Sequence, residues 1–451
     1  MLVNAVVIAV LVMLLLAVLR VHVVISLFIG ALVGGLIAGL GLNATMVAFQ
    51  DGLAGGAKIA LSYALLGAFA MAVAHSGLPA LLADWIIRRL DREQESTSNK
   101  TLRWTKWGIL TGTVVMAILS QNLIPIHIAF IPLLVPPLLI VMTRLKVDRR
   151  AVACAMTFGL VTTYMFLPIG FGRIFIYDLL YKFIEEAGLD VSGVNPLIAM
   201  AIPAAGMLSG LLIALFVTYR APREYTYRAV DDRHEQQRID TRKIIVAVIA
   251  IIVCVALQTW LALNGSDADP MLVGTLIGLL FFIATGVVKW NEADTVFTDG
   301  MKMMSLIGLI MITANGFASV MKATGAIEPL VAQSAALFNG NRAGAALVML
   351  LVGLIITMGI GSSFSTLPII TAIYVPLCIA LGFSPTATVA LIGTAGALGD
   401  AGSPASDSTL GPTSGLNIDG QHDHMKDTVI PTFLHFNVPL LLAGWLAALV
   451  L

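Results

Sequence analysis

The chain has 451 residues, 58% of them hydrophobic and 12% charged, with a mean hydropathy of +0.94. A water-facing protein has roughly a quarter charged residues, so a soluble enzyme, a nucleic-acid binder and a disordered scaffold are all excluded. The 26 basic and 26 acidic residues cancel, so net charge points to no polyanionic partner. Cys154, Cys254 and Cys378 each sit in apolar sequence, which argues against disulfides and a metal cluster.

Apolar runs fall at about 3–19, 22–41, 59–77, 106–142, 150–170, 196–219, 244–263, 271–288, 303–321, 344–382, 386–412 and 431–451. Their length suits membrane helices and not the short alternating segments of a β-barrel. Two runs are too long for one crossing and are polar in the middle: 106–142 at Ser120-Gln121-Asn122, and 344–382 from Gly361 to Thr366. Basic residues flank the first long run on both sides (Arg88, Arg89, Lys106; Arg144, Arg149, Arg150). Both of its ends should therefore be cytoplasmic, which makes it a re-entrant hairpin. Ten crossings plus two hairpins put both termini outside, and only Lys58, Arg173, Lys182, Lys322 and Arg342 of the 26 Lys and Arg fall outside with them. The first run lacks a basic flank and a cleavage site, so no signal peptide is expected.

Asp51-Gly52 recurs as Asp299-Gly300, 248 residues on, and the hairpin tips and Pro168/Pro404 recur in the same order. The expected fold is an all-α polytopic membrane protein of two inverted repeats. Each repeat has five transmembrane helices, with a re-entrant hairpin and a broken helix among its elements. The first repeat is 1–219 (hairpin about 106–142, broken helix about 150–172). A basic cytoplasmic linker spans 220–243. The second repeat is 244–451 (hairpin about 344–382, broken helix about 386–412). Inverted repeats with broken helices mark secondary transporters.

Of the 26 acidic residues, only Asp400 and Asp407 lie well inside an apolar run, within Gly399-Asp400-Ala401-Gly402-Ser403-Pro404-Ala405-Ser406-Asp407-Ser408-Thr409. Gly402 and Pro404 break the helix there, freeing carbonyls beside a carboxylate and hydroxyls. That set of hard oxygen donors suits Na⁺, and an unpaired carboxylate at this depth costs about 2.5–3.5 kcal/mol on insertion scales. The cation-site candidates are Asp400, Ser403, Ser406 and Asp407; a Pro-kinked helix reaching water is the structural alternative. The substrate-site candidates are Ser120, Gln121, Asn122 and Thr163 in the first half. In the second half they are Gly361, Ser362, Ser363, Ser365 and Thr366, whose exposed amides could hold an anion. A small-residue helix contact is the alternative there. His127, Arg173, Asn315, His75, Lys322 and the His422-Asp423-His424 run read as core, interfacial or solvated residues.

The stretches GSSFSTLPIITAIYVP and GTAGALGDAGSPASDSTLGPTSG resemble the NhaC-type sodium/proton antiporter family of the ion-transporter superfamily, and within it the branch of predicted amino-acid (histidine) permeases. The resemblance implies paired hairpins that move as an elevator against a scaffold, and Na⁺ or H⁺ as coupling ion with no other cofactor. The expected function is cation-coupled transport of an amino acid across the cell inner membrane, with no enzymatic activity. The expected partners are lipid, a small solute and a second copy at the scaffold. A Na⁺/H⁺ antiporter without organic substrate is the alternative; an intramembrane aspartyl protease is remote, because position 397 is Ala and no Gly-x-Gly-Asp pattern stands before Asp400.

Overall fold

The computed structural model describes residues 4–19, 21–78, 81, 99–122, 131, 135, 138–139, 141–226, 240–263, 268–360, 362–404 and 406–451. The structure is helical, with no strand among the described residues. The chain runs through α1 (Ala5–Val18), α2 (Val23–Ile37), α3 (Gly41–His75) and α4 (Asn99–Asn122). Next come α5 (Arg149–Phe166) and α6 (Phe171–Glu186), bent by 51° about residues 167–170, then α7 (Pro196–Thr218). The second half holds α8 (Thr241–Leu263), α9 (Pro270–Ala284), α10 (Trp290–Ala323), α11 (Ile327–Phe338), α12 (Arg342–Ile360), α13 (Ser363–Leu381), α14 (Pro385–Ala397) and α15 (Asp407–Leu416). It closes with α16 (His424–Val450).

Helix α7, residues Thr241–Leu261 of α8, and α16 are each long and apolar enough to cross a membrane, and α5 with α6 forms a broken span. Several shorter apolar helices join them, including α9 and the 342–358 part of α12. Local sequence sets many of the starts. Asn195 and Asp269 cap α7 and α9 through their side chains, each with Pro at the first turn, and Ser384 does the same for α14. Such caps satisfy amides that have no partner within the helix.

Two expected boundaries moved. The run 59–77 is only the second half of α3, and 303–321 only the second part of α10. Polar residues near each start (Gln50 and Asp51; Asn291, Glu292 and Asp299) lower the hydropathy without breaking a helix. Helices α3 and α10 pack against each other more extensively than any other pair, with α2 on α10 and α9 on α3 around them. A Cβ at Gly52 would lie 2.6 Å from the Asn315 carbonyl oxygen. Glycine there allows the two backbones to touch.

The second unit gathers α5, α6, α7 and α12 to α16. Helices α12 and α13 pair antiparallel. The Tyr374 hydroxyl donates to the Met349 carbonyl at 2.7 Å, and Arg342 Nε donates to the Leu381 carbonyl at 2.8 Å near the open end. Residues 123–130, with His127, and most of 132–140 lie outside the described residues, as do Gly361 and linker residues 227–239.

Candidate functional site

Helix α14 ends because Leu398 turns extended and Gly399 adopts φ +90°, ψ −28°. That left-handed conformation suits glycine, and a Cβ there would also stand 2.9 Å from the Met358 nitrogen. The freed Gly399 N–H donates to Asn437 Oδ1 of α16 at 2.9 Å. A single 3₁₀ turn, Asp400–Gly402, follows, and Ser406 then caps α15 by accepting from the Ser408 N–H at 3.1 Å. The chain is non-helical here for its own local reasons, and the break hangs on a neighbouring span.

Asp400, 6% exposed, is the meeting point. Its Oδ2 accepts from the Tyr164 hydroxyl of α5 at 2.5 Å and from the Ser363 hydroxyl of α13 at 3.1 Å. Its Oδ1 accepts from the Ser406 hydroxyl. Tyr164 Oη and Ser363 Oγ are themselves 2.7 Å apart. Three oxygens from three segments thus form a triangle. With Asp400 ionised, two hydroxyl hydrogens serve three oxygen–oxygen contacts. A proton on the carboxylate supplies the missing hydrogen, and a cation among the oxygens removes the need for it. The rings of Phe171, Phe175 and Phe364 pack around Tyr164 with centroids 6.1, 4.9 and 5.7 Å away. This apolar wall shields one side of the triangle and strengthens its electrostatics.

The other candidates are placed less uniformly. Ser403 is buried and donates to the Met358 carbonyl at 3.2 Å, tying the break to α12. Thr366 is buried and donates to the Ser362 carbonyl at 3.0 Å, within its own helix start. Ser362 is the extended N-cap residue of α13. The side chain of Ser365 lies outside the described residues. Asp407 is exposed at the first residue of α15 and is not turned into the triangle. Thr163 donates back to the Gly159 carbonyl, so the next residue, Tyr164, makes the contact across. Ser120 donates to Ala117 at 3.0 Å, while Gln121 Oε1 and Thr162 Oγ1 are buried without a partner. The Asn122 side chain lies outside the described residues.

A second polar cluster sits where α5 begins and α15 ends. Arg149, fully buried, donates through both terminal nitrogens to Asp419, at 2.7 Å each. It also donates to the Leu416 carbonyl at 3.1 Å and lies 4.3 Å from the Tyr225 ring centroid. Burial pushes the Asp419 carboxyl up, but the Arg149 guanidinium outweighs it and holds the group below the usual carboxylate range. Asp148 pairs with Arg150 at 2.6 Å, and Arg223 with Asp427 at 2.7 Å. His424 contacts Thr413 and the Pro404 carbonyl, and His422 contacts Thr428.

Comparison with known proteins places this architecture. The model of the Na⁺/H⁺ antiporter family matches residues 155–445, and a second Na⁺-H⁺ antiporter family model matches residues 4–90. A membrane protein of Vibrio parahaemolyticus is 53% identical over 91% of this chain and 92% of its own length. A Bacillus subtilis protein named as the putative amino acid transporter YuiF is 49% identical over 91% of this chain and 92% of its own. Among solved structures, the YdaH transporter of Alcanivorax borkumensis has a TM-score of 0.59 at 15% identity, covering 91% of this chain and 88% of that one. MtrF of Neisseria gonorrhoeae has 0.55 at 18%, covering 90% and 84%.

Proposed function

The chain belongs to the Na⁺/H⁺ antiporter family and is a membrane transporter, and from that premise we propose that it couples the movement of an amino acid to Na⁺ or H⁺ at Asp400. The observation behind this reading is the oxygen triangle. Among the described residues, this buried carboxylate is met by hydroxyls alone and no cationic side chain pairs with it. Such a group holds either a proton or a hard cation, and competition between the two is the basis of coupling. Ser363, Ser406 and Tyr164 are the proposed oxygen donors beside Asp400, with Ser403 bracing the break. The hairpin start from Ser362 to Thr366 is the proposed contact for the solute carboxylate.

The elevator reading assigns α5, α6 and α12 to α15 to the moving unit, and α2, α3, α9 and α10 to the scaffold. Its support is the pattern of packing, in which α3 lies chiefly on α10 while α5, α6 and α12 to α15 gather with α7 and α16, and the matching ends of α3 and α10 at the offset of the Asp-Gly repeat support the duplication. The inner-membrane placement, the outside termini and a scaffold dimer belong to the same proposal. A relative named as a putative amino acid transporter favours an organic solute. The family's name favours the second reading, Na⁺/H⁺ exchange alone.

Proteoliposomes separate the two. Uptake of labelled amino acids should rise with an imposed sodium or proton gradient and lose that stimulation in Asp400→Asn, which still inserts. Normal ion dependence in Asp400→Asn would move the cation elsewhere. Sodium-driven pH change with no uptake from the whole amino-acid panel would leave exchange alone.

A further inference from the structure

A cavity of about 510 Å³ lies between the two packing units, at the Glu186 end of the molecule and away from the Arg149 cluster. One wall is the α3–α10 pair, with Asp51, Asn315, Ser319 and Lys322; the other is α13, with Thr371 and Ala372. It runs beside the arm of the hairpin whose first turn holds Ser363. We propose that this cavity is a second solute site, a vestibule that takes a zwitterionic amino acid before the central site does. This rests on the amino-acid reading above.

The chemistry of the walls matches that ligand at both ends. Asp51 offers a carboxylate to an α-ammonium group. Lys322 offers an ammonium to an α-carboxylate, and one of its three donors is already fixed to the Glu186 carbonyl at 2.8 Å. That bond sets where the lysine head sits without neutralising it. The contact of Gly52 with Asn315 and Gly316 brings Asp51 to the rim next to the buried Asn315 amide. On the facing wall, Pro376 has no N–H to give the Ala372 carbonyl. The Ala372 carbonyl therefore lacks its usual helical donor. The volume falls within the roughly 300–1,000 Å³ of small-molecule sites.

The repeat partner of Asp51 makes the contrast. Asp299 also borders a cavity, of about 420 Å³, lined among the described residues by α3 and α10 alone. Its neighbours His75 and Glu292 face each other at 3.5 Å. Among the described residues that cavity has no wall from the proposed moving unit, and its acids are already paired, Asp299 with Lys302 and Glu292 with Lys289, at 3.3 Å each. Of these two cavities, the Asp51 one brings an acid and a lysine together beside the hairpin that would carry the solute.

The test uses the full chain in liposomes with Ser319→Cys as reporter, since the native cysteines are buried. The rate of maleimide labelling is measured against each of the twenty free amino acids, with Ala372→Cys as the reporter if Ser319→Cys does not fold. At least one amino acid should slow labelling saturably. The protection should persist when Asp400→Asn is added, and its half-protecting concentration should rise tenfold or more with Asp51→Asn or Lys322→Gln. Protection unchanged by both charge variants, or abolished by Asp400→Asn alone, would overturn the vestibule while leaving the central site intact. Ion-coupled uptake with no protection by any amino acid would do the same. Protection without any uptake would leave the cavity as a binding site and remove the transport reading instead.

Discussion

The two polar clusters of this molecule answer their carboxylates in opposite ways. At the α5 start, Asp419 faces a bidentate arginine, and Asp148 and Asp427 face arginines of their own. At the centre, Asp400 faces Tyr164, Ser363 and Ser406 and no arginine or lysine among the described residues. A carboxylate already neutralised by a fixed guanidinium has no call for a mobile cation. One surrounded by neutral oxygens keeps its charge to be matched from solution. On the proposed function, the same residue type thus serves architecture in one cluster and exchange in the other. Both clusters join α5 to the α14–α15 region, one at the middle and one at an end. Changes in the first should move stability, and changes in the second should move ion dependence.

The largest stability effect is expected from Asp419→Ala. It leaves the Arg149 charge buried without a counter-ion, which typically costs about 3–5 kcal/mol. The melting temperature of the purified protein should fall clearly, while the sodium concentration for half-maximal transport in the surviving fraction stays as it was. A shifted sodium dependence with an unchanged melt would reverse the assignment of roles.

His422 gives a pH-dependent version of the same point. It is 1% exposed, and burial pushes its imidazole down to about 4. The fold holds the neutral form, while the unfolded chain binds a proton near the ordinary value of about 6.5. This contribution to stability is complete above that value and is lost as pH falls towards 4, by at most about 3 kcal/mol. Melting curves between pH 7 and 4.5 should be shallower for His422→Gln than for the parent. Equal slopes would show that the ring does not titrate on unfolding.

Much of the central cluster was legible in the sequence, because an acid, glycines, a proline and hydroxyls inside an apolar run contradict a plain membrane helix. Asp400, Ser403, Ser406 and Ser363 stand out on that ground. Tyr164 does not, since an aromatic residue between apolar neighbours reads as core. Only the fold shows that its hydroxyl, and not that of Thr163, crosses to the break. Arg149 reads as one more basic residue marking a membrane side. Its partner Asp419 is 270 positions away, and no local pattern joins them. The full lengths of α3 and α10 were hidden because hydropathy marks where a helix meets lipid and not where it begins.

Tyr164→Phe tests the triangle without touching the carboxylate. The hydroxyl contributes one charge-assisted hydrogen bond, and its loss is worth roughly 1.5 kcal/mol. The half-saturating sodium concentration, or the midpoint of the pH–rate curve, should shift about tenfold. The melt should change little, because the ring still packs on Phe171, Phe175 and Phe364. An unaltered ion dependence would remove Tyr164 from the coupling site.

Asp407→Asn should have the smallest effect, and its size discriminates between the two acids of the break. Asp407 is exposed and opens α15. A carboxylate in the first turn of a helix is favoured by the backbone dipole by about 0.3–1 kcal/mol, and asparagine loses most of that. The expected change in half-saturating sodium is therefore less than about threefold, on the conversion of about 1.4 kcal/mol per tenfold. Asp400→Asn, at a buried carboxylate seven residues away in sequence, should abolish the ion stimulation altogether. If Asp407→Asn instead eliminates coupling to the same degree, the cation is shared between both carboxylates. The break would then have to close around Asp407 in another state of the transport cycle, drawing α15 towards the hairpin start at Ser363.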